Sequence, residues 1–204
     1  MKALLGALAV LVVVVAVYVG LKMRAAEEAA VSPIKEIATE TISKSGDTWS
    51  ATFTSKFAAP PDRVFEAFTH PERAKEFVPE NVLKSELVKA EGNGKTVDLV
   101  ARLDILPPGF KVQNVRIEYT FFPDEKRITT KTIDFRLADI ASEYKFEADG
   151  SGTLLRYKQT SKDKAPMLVE SLQKGALREN YATGVRAANR ALGLEAKPEQ
   201  KQAS

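Results

Sequence analysis

The chain has 204 residues, of which 44% are apolar and 28% are charged, a balance typical of a globular domain with a full hydrophobic core. Its formal net charge of +3 is too small to indicate a nucleic-acid partner. The lack of cysteine excludes disulfides, thiolate metal sites and a cysteine nucleophile, and the single histidine excludes a histidine-cluster metal site. No loop has the spacing of a carboxylate metal site. We therefore expect neither a metal nor a cofactor.

The first feature in chain order is an apolar run, residues 3–21, with no charge in 19 positions. As a helix it would rise about 30 Å, the thickness of the hydrocarbon core of a bilayer. It is longer than the core of a signal peptide, about 7–15 residues. The alternative, a removed signal peptide, would need cleavage at Ser32, directly before Pro33. We expect an uncleaved single-pass anchor over residues 1–24, so that the membrane is a partner through residues 3–21.

The charges that flank this run bear on its orientation. Lys2 lies on one side and Lys22 and Arg24 lie on the other, which is nearly a tie under the positive-inside rule. An N-terminal anchor followed by a folded domain commonly acts as an export signal. We therefore expect the domain on the exported, periplasmic side of a bacterial membrane.

A polar segment, residues 25–47, separates the run from the first regular strand. Its composition favours a tether with some helix and then a short strand that ends in a turn. From Thr48 to Phe57 apolar and polar residues alternate, as in a half-buried antiparallel strand. Pro60 and Pro61 cannot continue that strand, because proline has no N–H to donate to the sheet.

Two short helices are expected after the prolines. Val64, Phe65 and Phe68 share one helical face, and proline is well tolerated in a first helical turn. The segment 69–72, Thr-His-Pro-Glu, has the spacing of a capping box. It would begin a second short helix with Phe77 as its apolar anchor.

Alternating runs separated by turn signals fill residues 82–162 and predict strands in hairpins. One turn is expected to have Asn93 and Gly94 at its tip. In the run that begins at Ile128 the alternation changes phase after that residue, which indicates a β-bulge there. The expected inward face of that run comprises Ile133, Phe135 and Leu137.

The last segment, residues 166–192, has helical periodicity, with Leu172, Gly175 and Ala176 on one apolar face and a second apolar face shifted around the axis. A long helix whose buried face changes in this way suits a strongly curved sheet. Residues 194–204 are polar and are expected to form a disordered tail.

This order of elements, with the sequence FAAPPDRVFEAFTHPERAKEF at residues 57–77, resembles the START-like, Bet v 1-like superfamily (SRPBCC), also described as polyketide cyclase/dehydrase and lipid-transport proteins. The resemblance covers residues 48–193. Phe77 stands where the family commonly has tryptophan. The resemblance implies an α+β helix-grip fold, in which a curved antiparallel sheet of about seven strands wraps around a long C-terminal helix.

The resemblance also implies a cavity for a hydrophobic or amphipathic molecule. Combined with the alternation, it predicts a largely apolar lining with a few hydroxyl groups and the Gln159 amide. The expected cavity residues are Phe77, Leu99, Leu103, Ile117, Tyr119, Phe135, Ser142, Tyr144, Tyr157, Leu172, Gly175 and Ala176. The hypothesis is a membrane-anchored domain that binds a lipid, quinone or similar hydrophobic small molecule without catalysis.

Two alternatives stay open. The superfamily name suggests an enzyme, a cyclase or dehydratase, but the alternation directs the strand charges outward and leaves only His70, Asp134 and Arg136 as candidates for acid–base chemistry. The other alternative is a ligand-free protein-interaction module, for which we expect a filled interior and a large exposed apolar patch. The sequence names no protein partner.

Overall fold

The computed structural model describes residue 28 and residues 32–104, 111–164 and 170–195. Within these ranges it forms an α+β fold built on one curved antiparallel sheet. The strands are β1 (Thr39–Ser45), β2 (Thr48–Phe57), β3 (Val82–Glu91), β4 (Gly94–Arg102), β5 (Val112–Phe122), β6 (Arg127–Phe135), β7 (Ala138–Asp149) and β8 (Gly152–Asp163). The helices are α1 (Pro61–Phe68), a 3-10 turn (Pro71–Arg73), α2 (Ala74–Phe77) and α3 (Glu170–Ala191).

The strands lie in the order β1-β2-β8-β7-β6-β5-β4-β3, so that β1 and β3 form the two edges. Two-residue turns join β1 to β2, β3 to β4 and β7 to β8. Each begins with a glycine at positive φ, which is the position that two-residue hairpin turns reserve for glycine. These residues are Gly46, Gly92 and Gly150, at +59°, +53° and +60°. The β3–β4 turn is therefore centred on Gly92 and Asn93, one residue earlier than the sequence indicated.

The sheet has eight strands, not about seven. The additional strand is β1, the short strand expected at the end of the tether, and it pairs with β2 along its whole length from Thr39 to Ser45. Only Ile42 of β1 is partly buried. A strand at a sheet edge with polar side chains on both faces lacks the alternation that predicts a half-buried strand.

The predicted bulge in β6 exists, but it lies at Ile133 and not after Ile128. Arg116 pairs with Asp134 and Ile117 pairs with Thr132, so that Ile133 is the extra residue. It points outward and is 44% exposed, whereas Ile128 is buried. The expected inward face containing Ile133 is wrong at this residue, because an inserted residue reverses the alternation on its carboxyl side.

The segment 69–72 does not form the predicted capping box. The Thr69 hydroxyl donates to the Glu66 carbonyl and so ends α1. The 3-10 turn that follows has no side-chain cap. Glu72 instead accepts hydrogen bonds from Lys95 Nζ at 3.0 and 3.2 Å, and Lys95 also donates to the Thr69 carbonyl at 2.7 Å. This contact holds the short helices against β4.

The Glu72–Lys95 contact predicts acid destabilisation. Burial by itself raises the pKa of Glu72, but hydrogen bonds from the backbone, Lys95 and His70 outweigh it, and the pKa is lowered from its ordinary 4.5. A lowered carboxyl pKa contributes stability that is present above pH 4.5 and lost as the pH falls through the folded-state value. Glu72→Gln should therefore be less stable than the parent at pH 7, with the difference shrinking as the pH falls below 4.5. Urea unfolding at neutral and at acid pH measures the difference.

The matched control is Glu66→Gln, since the exposed Glu66 side chain makes no ion pair among the described residues. It should lose little stability at either pH. An equal loss for Glu72→Gln at neutral and acid pH would mean that the carboxylate charge does not hold the short helices.

The hydrophobic core lies between α1, α3 and the strands β2, β7 and β8. Phe53 is fully buried and stacks on Tyr181 of α3 with ring centroids 4.8 Å apart. From α1, Phe65 and Phe68 pack against Phe146 at centroid distances of 5.7 and 5.1 Å. The aromatic rings thus fill one part of the space enclosed by the sheet.

The predicted membrane anchor, residues 1–24, lies outside the described residues, as does the predicted polar tail, residues 194–204, from residue 196 onward. No helix within the described ranges combines the length and the apolar character needed to cross a bilayer. The anchor therefore stays a prediction.

Candidate ligand-binding cavity

A cavity of about 310 Å³ lies between the curved sheet, the short helices and α3. This volume is at the lower end of the range of small-molecule sites, about 300–1,000 Å³. Its lining reaches the surface at three exposed side chains, His70, Arg102 and Asn180.

The apolar wall of the cavity comes from β4, β5 and β6, where alternate residues point inward. Leu99, Val115 and Ile117 line it and are only partly buried. The equivalent inward residues of β2 and β8, such as Phe53 and Leu155, are fully buried. The core therefore covers the inner face of β2 and β8 completely and leaves the inner face of β4 and β5 only partly covered.

Helix α3 lies opposite this wall and, apart from Leu177, lines the cavity with small or polar side chains. Ala176, Gly184 and Ala187 line the cavity. These positions are separated by three or eight residues and therefore share one helical face. Because their side chains are small, the helix does not fill the space in front of the apolar wall.

Leu172 and Gly175 are buried on α3 and lie outside the cavity lining, and whether they contact a ligand stays a prediction. The helix is buried on more than one side. Arg178 donates to the Glu40 carboxylate and the Ser32 carbonyl, each at 2.8 Å. Ser32 and Glu40 of the predicted tether thus contact a side of α3 that the sequence did not predict to be covered.

Ser142, Tyr157 and Gln159 form a hydrogen-bonded network in the lining of the cavity. The Tyr157 hydroxyl donates to Gln159 Oε1 at 2.5 Å. Because a hydroxyl has one hydrogen, Tyr157 accepts from Ser142 Oγ at 2.9 Å.

The tyrosines of the cavity keep their protons at neutral pH. Burial raises the pKa of Tyr157 to about 12, against the effect of its hydrogen bonds. Burial also raises the pKa values of Tyr119 and Tyr144 above the ordinary 10. Acid–base catalysis needs a pKa near the working pH. These groups therefore suit hydrogen bonding to a ligand and not proton transfer.

The network leaves one donor without a partner. Gln159 is 3% exposed and its Oε1 is held by Tyr157, but its Nε2 makes no hydrogen bond with any described residue. A buried polar group without a partner costs about 1–3 kcal/mol. An acceptor on a bound molecule would satisfy this amide.

A second polar cluster lies farther along β8. Asp163 Oδ2 accepts from Trp49 Nε1 at 3.1 Å and from Gln173 Nε2 at 3.0 Å, and all three residues line the cavity. Gln173 Oε1 is buried and has no partner among the described residues. The cluster thus joins β2, β8 and α3 at the cavity surface.

The structure brings ten of the twelve predicted residues together around the cavity. They are Phe77, Leu99, Leu103, Ile117, Tyr119, Phe135, Ser142, Tyr144, Tyr157 and Ala176. Gln159, expected to face inward, also lines it. Whether these residues contact a ligand stays a prediction. Asp163 was not predicted as a site residue, although continuing the alternation of β8 from Tyr157 by steps of two reaches it.

None of the charged residues suggested for catalysis is buried. Asp134 and Arg136 are exposed and lie outside the lining, whereas His70 is exposed but lies at its rim. His70 Nδ1 lies 3.2 Å from Glu72 Oε1. Within the described ranges no three histidine, aspartate or glutamate side chains converge on a possible metal position.

Two ion pairs fix the short helices over the cavity. Lys95 of β4 holds Glu72 of the 3-10 turn, as described above. On the other side, Arg190 Nη1 donates to the Phe77 carbonyl at 2.8 Å and to Glu80 Oε1 at 2.5 Å. The helices are thus tied to both the sheet and α3, which fixes the position of Phe77 at the cavity.

Comparison with solved structures shows the same fold elsewhere. A protein of Thermus thermophilus has a TM-score of 0.62 and 19% identity, covering 72% of this chain and 99% of that one. The Zhui aromatase/cyclase from a Streptomyces species has a TM-score of 0.56 and 15% identity, covering 71% and 96%. A START superfamily protein from Mycobacterium smegmatis has a TM-score of 0.58 and 13% identity, covering 72% and 99%. Identities this low show the fold alone.

Comparison at the level of sequence shows the family. No curated protein matches the chain. The family model described as polyketide cyclase / dehydrase and lipid transport matches residues 48–193, the range over which the resemblance was found. The resemblance to the START-like, Bet v 1-like superfamily is thereby confirmed, and the chain belongs to the polyketide cyclase / dehydrase and lipid transport family.

Proposed function

We propose that the chain binds a hydrophobic small molecule or lipid in the cavity, without transforming it. The observation that carries the proposal is the uncovered apolar wall of β4, β5 and β6 beneath small residues of α3. The family description, which includes lipid transport, agrees with this function. Gln159 Nε2 supplies an orienting donor in an otherwise apolar site.

Binding without catalysis is favoured by the chemistry of the lining. The cavity tyrosines have raised pKa values, and the only histidine lies exposed at the rim. An open cavity also argues against a ligand-free interaction module, for which a filled interior was expected. The same cavity offers a hydrophobic molecule the apolar surroundings that it lacks in water.

We further propose that residues 3–21 anchor the domain to a membrane, with the domain on the periplasmic side. The support is the uncharged run of 19 residues at the start of the sequence. An anchored domain would take up and release a hydrophobic ligand at the bilayer surface.

One observation favours an enzyme as the second candidate function. Asp163 places a carboxylate on the cavity lining, and the solved structures with this fold include an aromatase/cyclase. Acid–base chemistry would use the Asp163 carboxylate. The distinguishing result is chemical: an enzyme would release a product that differs in mass from the molecule it takes up.

The test is solvent extraction and mass spectrometry of the full chain purified from bacterial membranes. We expect one hydrophobic molecule per chain, recovered unchanged after prolonged incubation. The control variant is Ala176→Phe, which should fill the cavity while leaving residues 3–21 intact. Equal recovery from parent and variant would place the molecule outside the cavity and contradict the proposal.

A further inference from the structure

The polar cluster of Asp163, Trp49 and Gln173 indicates which polar group a ligand carries, which the apolar wall alone does not. Tyr157, Gln159, Ser161 and Asp163 alternate along β8 and all line the cavity. About 13 Å of strand separates Gln159 from Asp163. The cavity therefore has two distinct polar positions along one strand, beside its apolar wall.

The two positions differ in hydrogen-bond character. At Gln159 the free group is an N–H donor. At the Asp163 position the free atoms are acceptors, because Gln173 Oε1 has no partner and Asp163 Oδ1 accepts no hydrogen bond from the described residues. Both N–H donors that reach Asp163 bond its other oxygen, Oδ2.

The charge of Asp163 also restricts which ligand groups can bind at this position. Among the described residues Asp163 forms no ion pair, whereas the neighbouring Lys162 and Lys164 pair with Asp47 and Asp139. A ligand anion placed here would meet the like charge of Asp163, which no described cation pairs with directly. A group that accepts but cannot donate would leave the buried Gln173 Oε1 unsatisfied.

We propose that the Asp163 and Gln173 side chains bind a hydrogen-bond donor, a hydroxyl or ammonium group, at one end of an otherwise apolar ligand. This inference rests on the proposed binding function and adds the polarity and the orientation of the ligand. The donor end lies between β8 and the start of α3, and the apolar body lies against β4 and β5. At this end of the cavity, a carboxylate or a group that only accepts hydrogen bonds is disfavoured.

The chain contains its own reporter for this position. Trp49 is the only tryptophan, it is 2% exposed, and its indole N–H bonds Asp163. A ligand that contacts Asp163 should change the Trp49 emission. A ligand held only by the apolar wall should leave it nearly unchanged.

The test compares four probes that share a linear ten-carbon chain, on the full chain in amphipol: 1-decanol, 1-methoxydecane, decylammonium and decanoate. Calorimetry gives the affinities and Trp49 emission gives the position. We expect 1-decanol or decylammonium to bind at least about 10-fold more tightly than 1-methoxydecane, with decanoate weakest. Tightest binding by 1-decanol identifies a hydroxyl as the donor, and tightest binding by decylammonium identifies an ammonium group.

Asp163→Asn is the diagnostic variant, because it keeps the size of the side chain and turns a free acceptor into a donor. The preference for 1-decanol over 1-methoxydecane should fall below about 2-fold, and decanoate should bind more tightly than to the parent. The control is Asp124→Asn, the same change at an exposed residue that does not line the cavity. It should leave the preference unchanged.

The possible failures are distinguishable. Equal affinity of the parent for 1-decanol and 1-methoxydecane, or tightest binding by decanoate, overturns the donor site and leaves the proposed function standing. A preference that survives in a folded Asp163→Asn variant overturns the assignment to Asp163. Absence of saturable binding by every probe overturns the proposed function together with this inference.

Discussion

Ala176→Phe is expected to reduce the affinity for 1-decanol by about 100-fold, which corresponds to about 2.7 kcal/mol. Ala176 lies on the face of α3 that lines the cavity, across from the apolar wall. A phenyl ring at this position projects into the space that a ligand would occupy. Calorimetry on the full chain in amphipol measures the loss.

The same variant tests whether the space is open. Overpacking a filled core costs about 1–3 kcal/mol, whereas a ring that enters a real cavity costs little. We expect the midpoint of urea unfolding to change little. Ala191→Phe, an identical change at an exposed position of α3, is the control and should bind 1-decanol like the parent. A strongly destabilised Ala176→Phe with unchanged affinity would mean that the cavity is not the binding site.

Phe53→Ala is expected to lower the free energy of unfolding by about 3–5 kcal/mol. Phe53 is fully buried on β2 between two aromatic rings, with centroid distances of 4.8 Å to Tyr181 and 6.0 Å to Tyr157. Removing the ring leaves a void at the place where α3 packs on the sheet. Urea unfolding of the full chain measures the loss.

Ile133→Ala is the control for this change, because Ile133 is an apolar strand residue that is 44% exposed. It should cost no more than about 0.5 kcal/mol, as is usual for surface substitutions. A loss below about 1 kcal/mol for Phe53→Ala would contradict the assignment of the core to the β2–α3 contact.

The strands and helices that the sequence predicted well are those in which one face is buried and the other is not. Alternation from Thr48 to Phe57 matches the bounds of β2. The edge strand β1 was expected only as a short element of the tether, because its side chains are polar on both faces. Its place in the sheet depends on hydrogen bonds to β2, which leave little trace in side-chain composition.

For the cavity, too, the features that follow from local alternation were predicted, and those that depend on tertiary contacts were not. Its apolar wall follows from alternation, because Leu99 and Ile117 point inward on regular strands. The burial of Leu172 and Gly175 outside the lining was not expected, since the tether covers part of α3. It does so through the contact of Arg178 with Glu40, whose positions are 138 residues apart in the chain.

Asp163 was missed for a related reason. A charged residue near a strand end normally faces solvent. Its place on the cavity lining depends on hydrogen bonds from Trp49 and Gln173, which lie on other elements of the fold. No local pattern around Asp163 records these two partners.

Photo-crosslinking tests the central claim, binding inside the cavity, most directly. The full chain is irradiated with a ten-carbon alcohol that carries a diazirine on its apolar chain, and labelled peptides are mapped by mass spectrometry. We expect labels on β4, β5 and the cavity face of α3, suppressed by excess 1-decanol and absent from Ala176→Phe. Labels confined to residues 3–21 or to the outer face of the sheet, and unchanged in that variant, would contradict the account.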